Sequence, residues 1–212
     1  MSIFSGVEFS KSVARLTDLP QSYAEVAFVG RSNAGKSTVI NALCNRHKLA
    51  HVSKTPGRTQ NLNFFNIPFP KNATALRDTT PRYLVDLPGY GYARAPEEIR
   101  KSWDFLISPY LGTRQVLKGM ISVMDCRHPF TSLDCTLLTW YRPKGFVHIL
   151  LNKADKLSPT QQIKTLREAQ TFLKILIPPQ NQHRYTIQLF SGVKKIGVTE
   201  LENKIKMAMD FF

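Results

Sequence analysis

The sequence predicts an α/β fold: a mostly parallel sheet of six strands flanked by helices. Two observations carry that prediction. Short apolar runs alternate with runs of helical periodicity along most of the chain. The octet Gly30-Arg31-Ser32-Asn33-Ala34-Gly35-Lys36-Ser37 has the phosphate-loop spacing GxxxxGKS and lies between a strand-like and a helix-like segment. With 212 residues, 42% of them hydrophobic, the chain can bury one sizeable core.

The predicted strands are Val26–Val29, Leu62–Ile67, Tyr83–Asp86, Met120–Asp125, Val147–Asn152 and Thr186–Phe190, each a short apolar or β-branched run. The predicted helices are Lys36–His47, Glu97–Leu111, Leu133–Trp140, Pro159–Leu176 and Thr199–Phe211. The fourth has a clear start, with Ser158 as N-cap and Pro159 at the first helical position. Its Ile163, Leu166, Ala169, Phe172, Leu173 and Leu176 recur at helical spacing and read as a core stripe. Two polar loops interrupt the alternation, His51 to Gln60 and Tyr90 to Pro96, and both flank phosphate-binding elements. They are candidate switches, ordered by a γ-phosphate and released on its hydrolysis. Pro68 to Thr80 reads as a polar insertion between two strands, with no chemistry assigned.

The formal net charge is +14, from 29 Lys and Arg against 15 Asp and Glu. One nucleotide does not require that excess, so the balance points to a polyanionic partner. Lys194, Lys195, Lys204 and Lys206 make the C-terminal part a candidate basic face, although a solvated helix surface is the ordinary reading. The three cysteines, Cys44, Cys126 and Cys135, form no CxxC pair and read as small buried hydrophobes rather than disulfides or zinc ligands. Residues Met1 to Asp18 lack the continuous apolar stretch of a signal peptide. No run approaches the ~20 apolar residues of a membrane span. A cytoplasmic protein with no stable membrane association is expected.

Three motifs carry chemistry. In the octet, Gly30 and Gly35 permit a tight turn whose amides cradle phosphates at a helix N-terminus. Lys36 would reach the β- and γ-phosphates, and Ser37 would offer its hydroxyl to Mg²⁺. Second, Asp86-Leu87-Pro88-Gly89 ends an apolar strand. Asp86 there can hold Mg²⁺ through water, and the Gly89 amide can sense the γ-phosphate. Third, Asn152-Lys153-Ala154-Asp155 follows another apolar run. The Asp155 carboxylate can accept from N1–H and the 2-amino group of guanine, donors that adenine lacks there, so the reading is GTP over ATP. Lys153 can lay its stem along the base, and Asn152 can brace the phosphate loop. A backbone amide of Phe190-Ser191-Gly192 would meet guanine O6. Either Thr55 or Thr59 could complete the Mg²⁺ shell, and spacing does not separate them.

These motifs, with Thr55-Pro56-Gly57-Arg58-Thr59-Gln60, Tyr90-Gly91-Tyr92-Ala93, Trp103 and the turn Asp125-Cys126-Arg127-His128-Pro129, resemble the EngB (YihA/YsxC) GTPases over nearly the whole chain. The resemblance implies a Ras-like P-loop GTPase fold of the Era-like branch. It implies residues 1–22 as an N-terminal extension packed on a G domain of residues 23–212. It also implies Mg²⁺ and GTP, with Ser37 and Thr59 as metal ligands, and nucleotide contacts extending through Gly57, Arg58, Gln60 and Asn61. The implied partner is a precursor of the large ribosomal subunit, its rRNA and proteins, with a role in normal cell division and septation. The final motif departs from the usual Ser-Ser or Ser-Ala: here it is Ser191-Gly192.

The catalytic set expected from the residues is Lys36, Thr59, Gly89 and Asn33. Many small GTPases place a Gln after DxxG to orient water; here that place is Tyr90, so slow intrinsic hydrolysis is expected. Asn33 resembles the position at which some GTPases bind K⁺ beside the phosphates. Such an ion would do the work of an arginine finger; loop stabilisation alone is the other reading. Arg31 and Arg58 are possible cis fingers. A constitutive RNA-binding module with a structural nucleotide site is the competing function.

Overall fold

Strand β2 (Ala24–Gly30) is buried along its whole length because both faces of the sheet are covered there. Ala24, Val26 and Phe28 face one apolar cluster, while Ala27 and Val29 face the other, as the two-residue period of a strand requires. The computed structural model of the chain describes residues 2–50, 61–69, 79–91, 103–141 and 144–211. In it β2 joins β1 (Glu8–Val13), β3 (Leu62–Ile67), β4 (Arg82–Asp86), β5 (Leu117–Asp125), β6 (Phe146–Asn152) and β7 (Tyr185–Leu189) in one seven-stranded sheet. The order is β1-β3-β4-β2-β5-β6-β7. Strands β2, β4, β5, β6 and β7 run parallel, whereas β3 is antiparallel to β4 and β1 antiparallel to β3.

The described helices are α1 (Lys36–Leu43), α2 (Ser108–Thr113), α3 (Ser132–Trp140), α4 (Pro159–Leu176) and α5 (Val198–Ala208). Helices α1 and α5 cover one face through Val39, Ile40, Leu43, Leu201 and Ile205. The others cover the opposite face through Tyr110, Leu137, Leu138, Ala169 and Leu173. Ser158 caps α4 in a reciprocal capping box with Gln161.

Four expectations need correction. Of the stripe on α4 expected to be core, only Ala169 and Leu173 are buried, while Ile163 and Phe172 are exposed. The sheet has seven strands, not six, because β1 pairs along the edge of β3. That strand carries mostly exposed side chains and so lacks an apolar run. Helix α1 stops at Leu43 rather than His47. Asn45 adopts a left-handed φ of 49°, and the Asn41 side chain turns to bond both backbone polar groups of Ala50. Within the predicted Glu97–Leu111 helix, a π turn at Trp103–Ile107 precedes α2, and residues 97–102 lie outside the described residues. Pro109 has no N–H to continue an α-helical ladder, which locates that change of pitch.

The buried carboxylate of Glu25 shows how a charge survives at the base of β2. It accepts from the Tyr110 hydroxyl at 2.8 Å, from the Ser22 hydroxyl and from the Arg114 guanidinium. Every lone pair finds a donor, which is the condition for burying an ion.

His148 in β6 is another buried titratable group. Its Nδ1 lies 2.7 Å from the Thr186 hydroxyl and its Nε2 2.8 Å from Gln188 Oε1, both on β7. Gln188 donates its own amide to the Gly197 carbonyl, so its oxygen faces the ring and Nε2 carries the proton. Burial, with a smaller effect of the nearby Lys204 charge, pushes the imidazole pKa down to about 4. The unfolded value is near 6.5, so the folded state binds fewer protons and loses stability as pH falls from 6.5 toward 4. Stability should fall by about 2 kcal/mol between pH 7 and pH 5 from this group. Urea unfolding across that range should show the loss in the native chain and a flatter profile in His148→Gln. Equal slopes would contradict the assignment.

Candidate nucleotide site

The carboxyl ends of β2, β4, β5 and β6 lie together where the strand order turns, β2 being flanked by β4 on one side and β5 on the other. In open α/β sheets that crevice is where ligands bind. The phosphate-loop octet leaves the end of β2 and enters α1. Gly35 adopts φ 94°, and a Cβ there would stand 2.4 Å from Asn152 Nδ2. Asn33 is also left-handed, at φ 66°. The amides of Ser32 and Ala34 are engaged by the carbonyls of Tyr90 and Arg31 at 2.9 and 3.0 Å. Of the octet's central and terminal amides, those of Asn33, Gly35, Lys36 and Ser37 are therefore the candidates for phosphate oxygens.

Lys36 forms an ion pair with Asp86 at the end of β4, and both side chains are about nine-tenths buried. The pair places the two charges that a metal–phosphate group requires side by side, each neutralising the other. Asp86-Leu87-Pro88-Gly89 then sits directly on the phosphate loop. The Leu87 amide bonds the Phe28 carbonyl, and a Cβ on Gly89 would lie 3.0 Å from Ser32 Oγ. Tyr90 continues the contact through its amide to the Gly30 carbonyl, at 3.3 Å. Its side chain turns into the core, where the hydroxyl donates to Asp134 at 2.7 Å. Burial, then the Asp134 charge, raises the phenol well above its usual range. Tyr90 is thus held away from the role of positioning a water. The Arg31 stem runs alongside Gly91, next to Leu133, rather than along the octet.

The end of the site expected to read the base comes from β6 and β7. Asn152 donates to the Ala34 carbonyl at 2.8 Å. Lys153, with φ 64°, directs its ammonium to the Asn33 carbonyl at 2.6 Å and to Asp125 at 2.9 Å. Ala154 donates its amide to the Phe190 carbonyl, which seats this segment against the end of β7. Asp155 accepts from the Ser191 hydroxyl at 2.6 Å, and that bond is the main cause holding its carboxyl below the usual value. An ionised Asp155 is an acceptor only, as reading guanine demands. The amides of Phe190 and Ser191 bond the Leu151 and Ile196 carbonyls. Among the three residues expected to meet O6, that leaves the Gly192 amide as the candidate.

Gly57, Arg58, Thr59 and Gln60, with Thr55, lie outside the described residues. Asn61 does not: it precedes β3, whose Asn63 pairs with Asp86, so it stands at the site end of the sheet. Two groups were given no role by the sequence reading. Asp125, ending β5, is bound through both oxygens by Arg127 at 2.9 and 2.7 Å, as well as by Lys153. These partners, Arg127 foremost, hold its carboxyl well below the usual range. Asp134 is the second. It joins the capping box of α3 through Thr131 and accepts the Tyr90 hydroxyl on its other oxygen. An acid at N3 of a helix was the available signal for Asp134; Asp125 was visible only as the first residue of the turn Asp125–Pro129.

A family model described as 50S ribosome-binding GTPase matches residues 25–153. The "Probable GTP-binding protein EngB" of Dechloromonas aromatica (strain RCB) is 49% identical over 212 residues, covering 99% of this chain and 90% of that protein. The protein of the same name from Neisseria meningitidis serogroup B (strain ATCC BAA-335 / MC58) is 44% identical over 211 residues, covering 99% and 94%. Solved structures share the fold. A probable GTP-binding protein engB superposes with TM-score 0.57 at 20% identity, over 88% of this chain and 99% of that one. Era, solved with MgGDPNP and a 16S ribosomal RNA segment, superposes with TM-score 0.62 at 18% identity, over 91% of this chain and 57% of that one. Matches of this extent, together with a phosphate loop and the Asn152–Asp155 motif brought into one crevice, make the chain a P-loop GTPase that belongs to the EngB family of GTP-binding proteins.

Proposed function

We propose that this GTPase is a molecular switch that docks on a precursor of the large ribosomal subunit while GTP is bound and leaves after hydrolysis. The observation that supports the reading is the seating of Asp86–Gly89 on the phosphate loop, against Ser32, where the Gly89 turn would meet a γ-phosphate. The chain runs from that turn directly into residues 92–102. The +14 net charge supports an RNA-rich partner. The family model's description and the rRNA-bound Era neighbour point the same way. A block in subunit assembly would starve growing cells of ribosomes, which connects the reading to a defect in division and septation. Among the described residues no helix is long and apolar enough to cross a membrane.

In this reading Lys36 binds the β- and γ-phosphates, Asp155 reads the guanine edge, and Gly192 donates to O6. The hard oxygens of Ser37 and Asp86 suit Mg²⁺, with Thr59 completing the ligand set. Bound there, Mg²⁺ supplies charge neutralisation between the β- and γ-phosphates. Nucleotide binding would exchange the Asp86 carboxylate for phosphate oxygens at Lys36 and release Asp86 to help hold Mg²⁺. The described residues present no side chain to orient the attacking water, since Tyr90 is bonded to Asp134. Intrinsic hydrolysis is therefore slow, and the missing stabilisation enters from a ribosomal partner or from K⁺ beside the exposed Asn33.

Sedimentation with ribosomal particles tests the switch. Co-sedimentation with large-subunit precursors should be strong with a non-hydrolysable GTP analogue, weak with GDP, and should fall steeply with salt. Equal binding in both nucleotide states would favour a constitutive RNA-binding module and sink the switch. For the ion, replacing K⁺ by Na⁺ should slow hydrolysis by about tenfold or more, and Asn33→Ala should abolish the difference. Identical rates in the two salts would assign Asn33 to loop structure alone.

A further inference from the structure

The ion cluster at the carboxyl ends of β5 and β6 is not explained by any role above. Asp125 and Asn152 stand in register on these parallel strands, and the Cys126 amide bonds the Asn152 carbonyl at 2.8 Å. Register therefore places Asp125 beside the residue after Asn152, which is Lys153. The left-handed backbone of Lys153 turns its side chain out of the strand, and its ammonium bridges Asp125 and the Asn33 carbonyl. Arg127 grips Asp125 from the other side with a two-toothed contact. The side chains of Arg127, Asp125 and Lys153 are 47%, 19% and 29% exposed. Ion pairs that wet contribute little to folding. Their value lies in what they hold still.

A lysine stem has four rotatable bonds, and stacking it on a base costs the freedom of all of them unless that freedom is already lost. We propose that Asp125 is a positioning residue for the nucleotide: backed by Arg127, it clamps the Lys153 ammonium against the phosphate loop and so presents the lysine stem, pre-ordered, to the face of the guanine ring. The clamp also ties the base-reading segment to the Asn33 carbonyl. This inference rests on the nucleotide reading of the site.

A double-mutant cycle in GDP affinity tests it, measured by competition against a fluorescent guanine nucleotide. Asp125→Asn should weaken GDP about tenfold, with the melting temperature of the nucleotide-free protein nearly unchanged. Lys153→Met should weaken it at least as much. The double variant should be no weaker than Lys153→Met within about twofold, because the carboxylate acts through the lysine. Asp125→Asn should weaken inosine diphosphate by the same factor as GDP, since a clamp on the stacking lysine is blind to the 2-amino group. Arg127→Met, a surface substitution, should give a smaller loss that vanishes in the Asp125→Asn background. Additive losses, an unchanged affinity in Asp125→Asn, or a selective loss of GDP over inosine diphosphate would each overturn the proposal. Failure of the unaltered chain to bind GDP would instead overturn the site reading beneath it.

Discussion

One hydrogen bond between distant parts of the chain holds the site in shape: the Asn152 side-chain amide to the Ala34 carbonyl, at 2.8 Å. It joins the end of β6 to the middle of the phosphate loop across 118 residues of sequence. The loop at this point has left-handed φ at Asn33 and Gly35, and the Asn152 amide fills the space a Cβ on Gly35 would need. A loop wound this way aims its amides at a single point only while something outside it takes the outward-facing carbonyl. Without such a partner the backbone has other conformations of similar energy, and phosphate binding would bear the cost of ordering it. The remaining contacts add to the same brace. Lys153 takes the Asn33 carbonyl, and Tyr90 takes the Ser32 amide.

This brace makes the two ends of the nucleotide one system. The segment proposed to read the base, Asn152–Asp155, also carries the two side chains that support the phosphate cradle, so disturbance at either end reaches the other. The γ-phosphate end is built differently. Asp86–Gly89 sits on the cradle, but Tyr90 is fixed by its backbone to the phosphate loop and by its hydroxyl to Asp134 on α3. Any nucleotide-dependent rearrangement of this segment would therefore start from a fixed end at Tyr90. The same fixing takes Tyr90 away from the chemistry, which is why an external contribution to hydrolysis is built into the account.

Much of this was legible in the sequence, for a physical reason. Phosphate and guanine recognition impose residue types at contiguous positions: glycines where no Cβ fits, a lysine at a helix start, an acceptor-only carboxylate two residues past a lysine. The core strands were legible because burial on both faces demands unbroken apolar runs, as in β2 and β6. Strand β1 was not, since an edge strand facing water carries no such run. Nor was the clamp at Asp125, whose partners Arg127 and Lys153 are brought together by strand register rather than by a local pattern. The pairing of Tyr90 with Asp134 has the same character: two ordinary residues made significant only by the packing of α3 against the sheet.

The account rests on the phosphate loop being braced before nucleotide arrives, and amide hydrogen exchange measures that directly. In the nucleotide-free protein, Asn152→Ala should accelerate exchange at Ser32 and Ala34, the octet amides bonded to the Tyr90 and Arg31 carbonyls, by about tenfold, the equivalent of one lost hydrogen bond, while β5 amides stay as protected as before. Unchanged exchange in the loop, with Asn152 removed, would mean that the octet holds its own shape and that the brace from β6 is incidental.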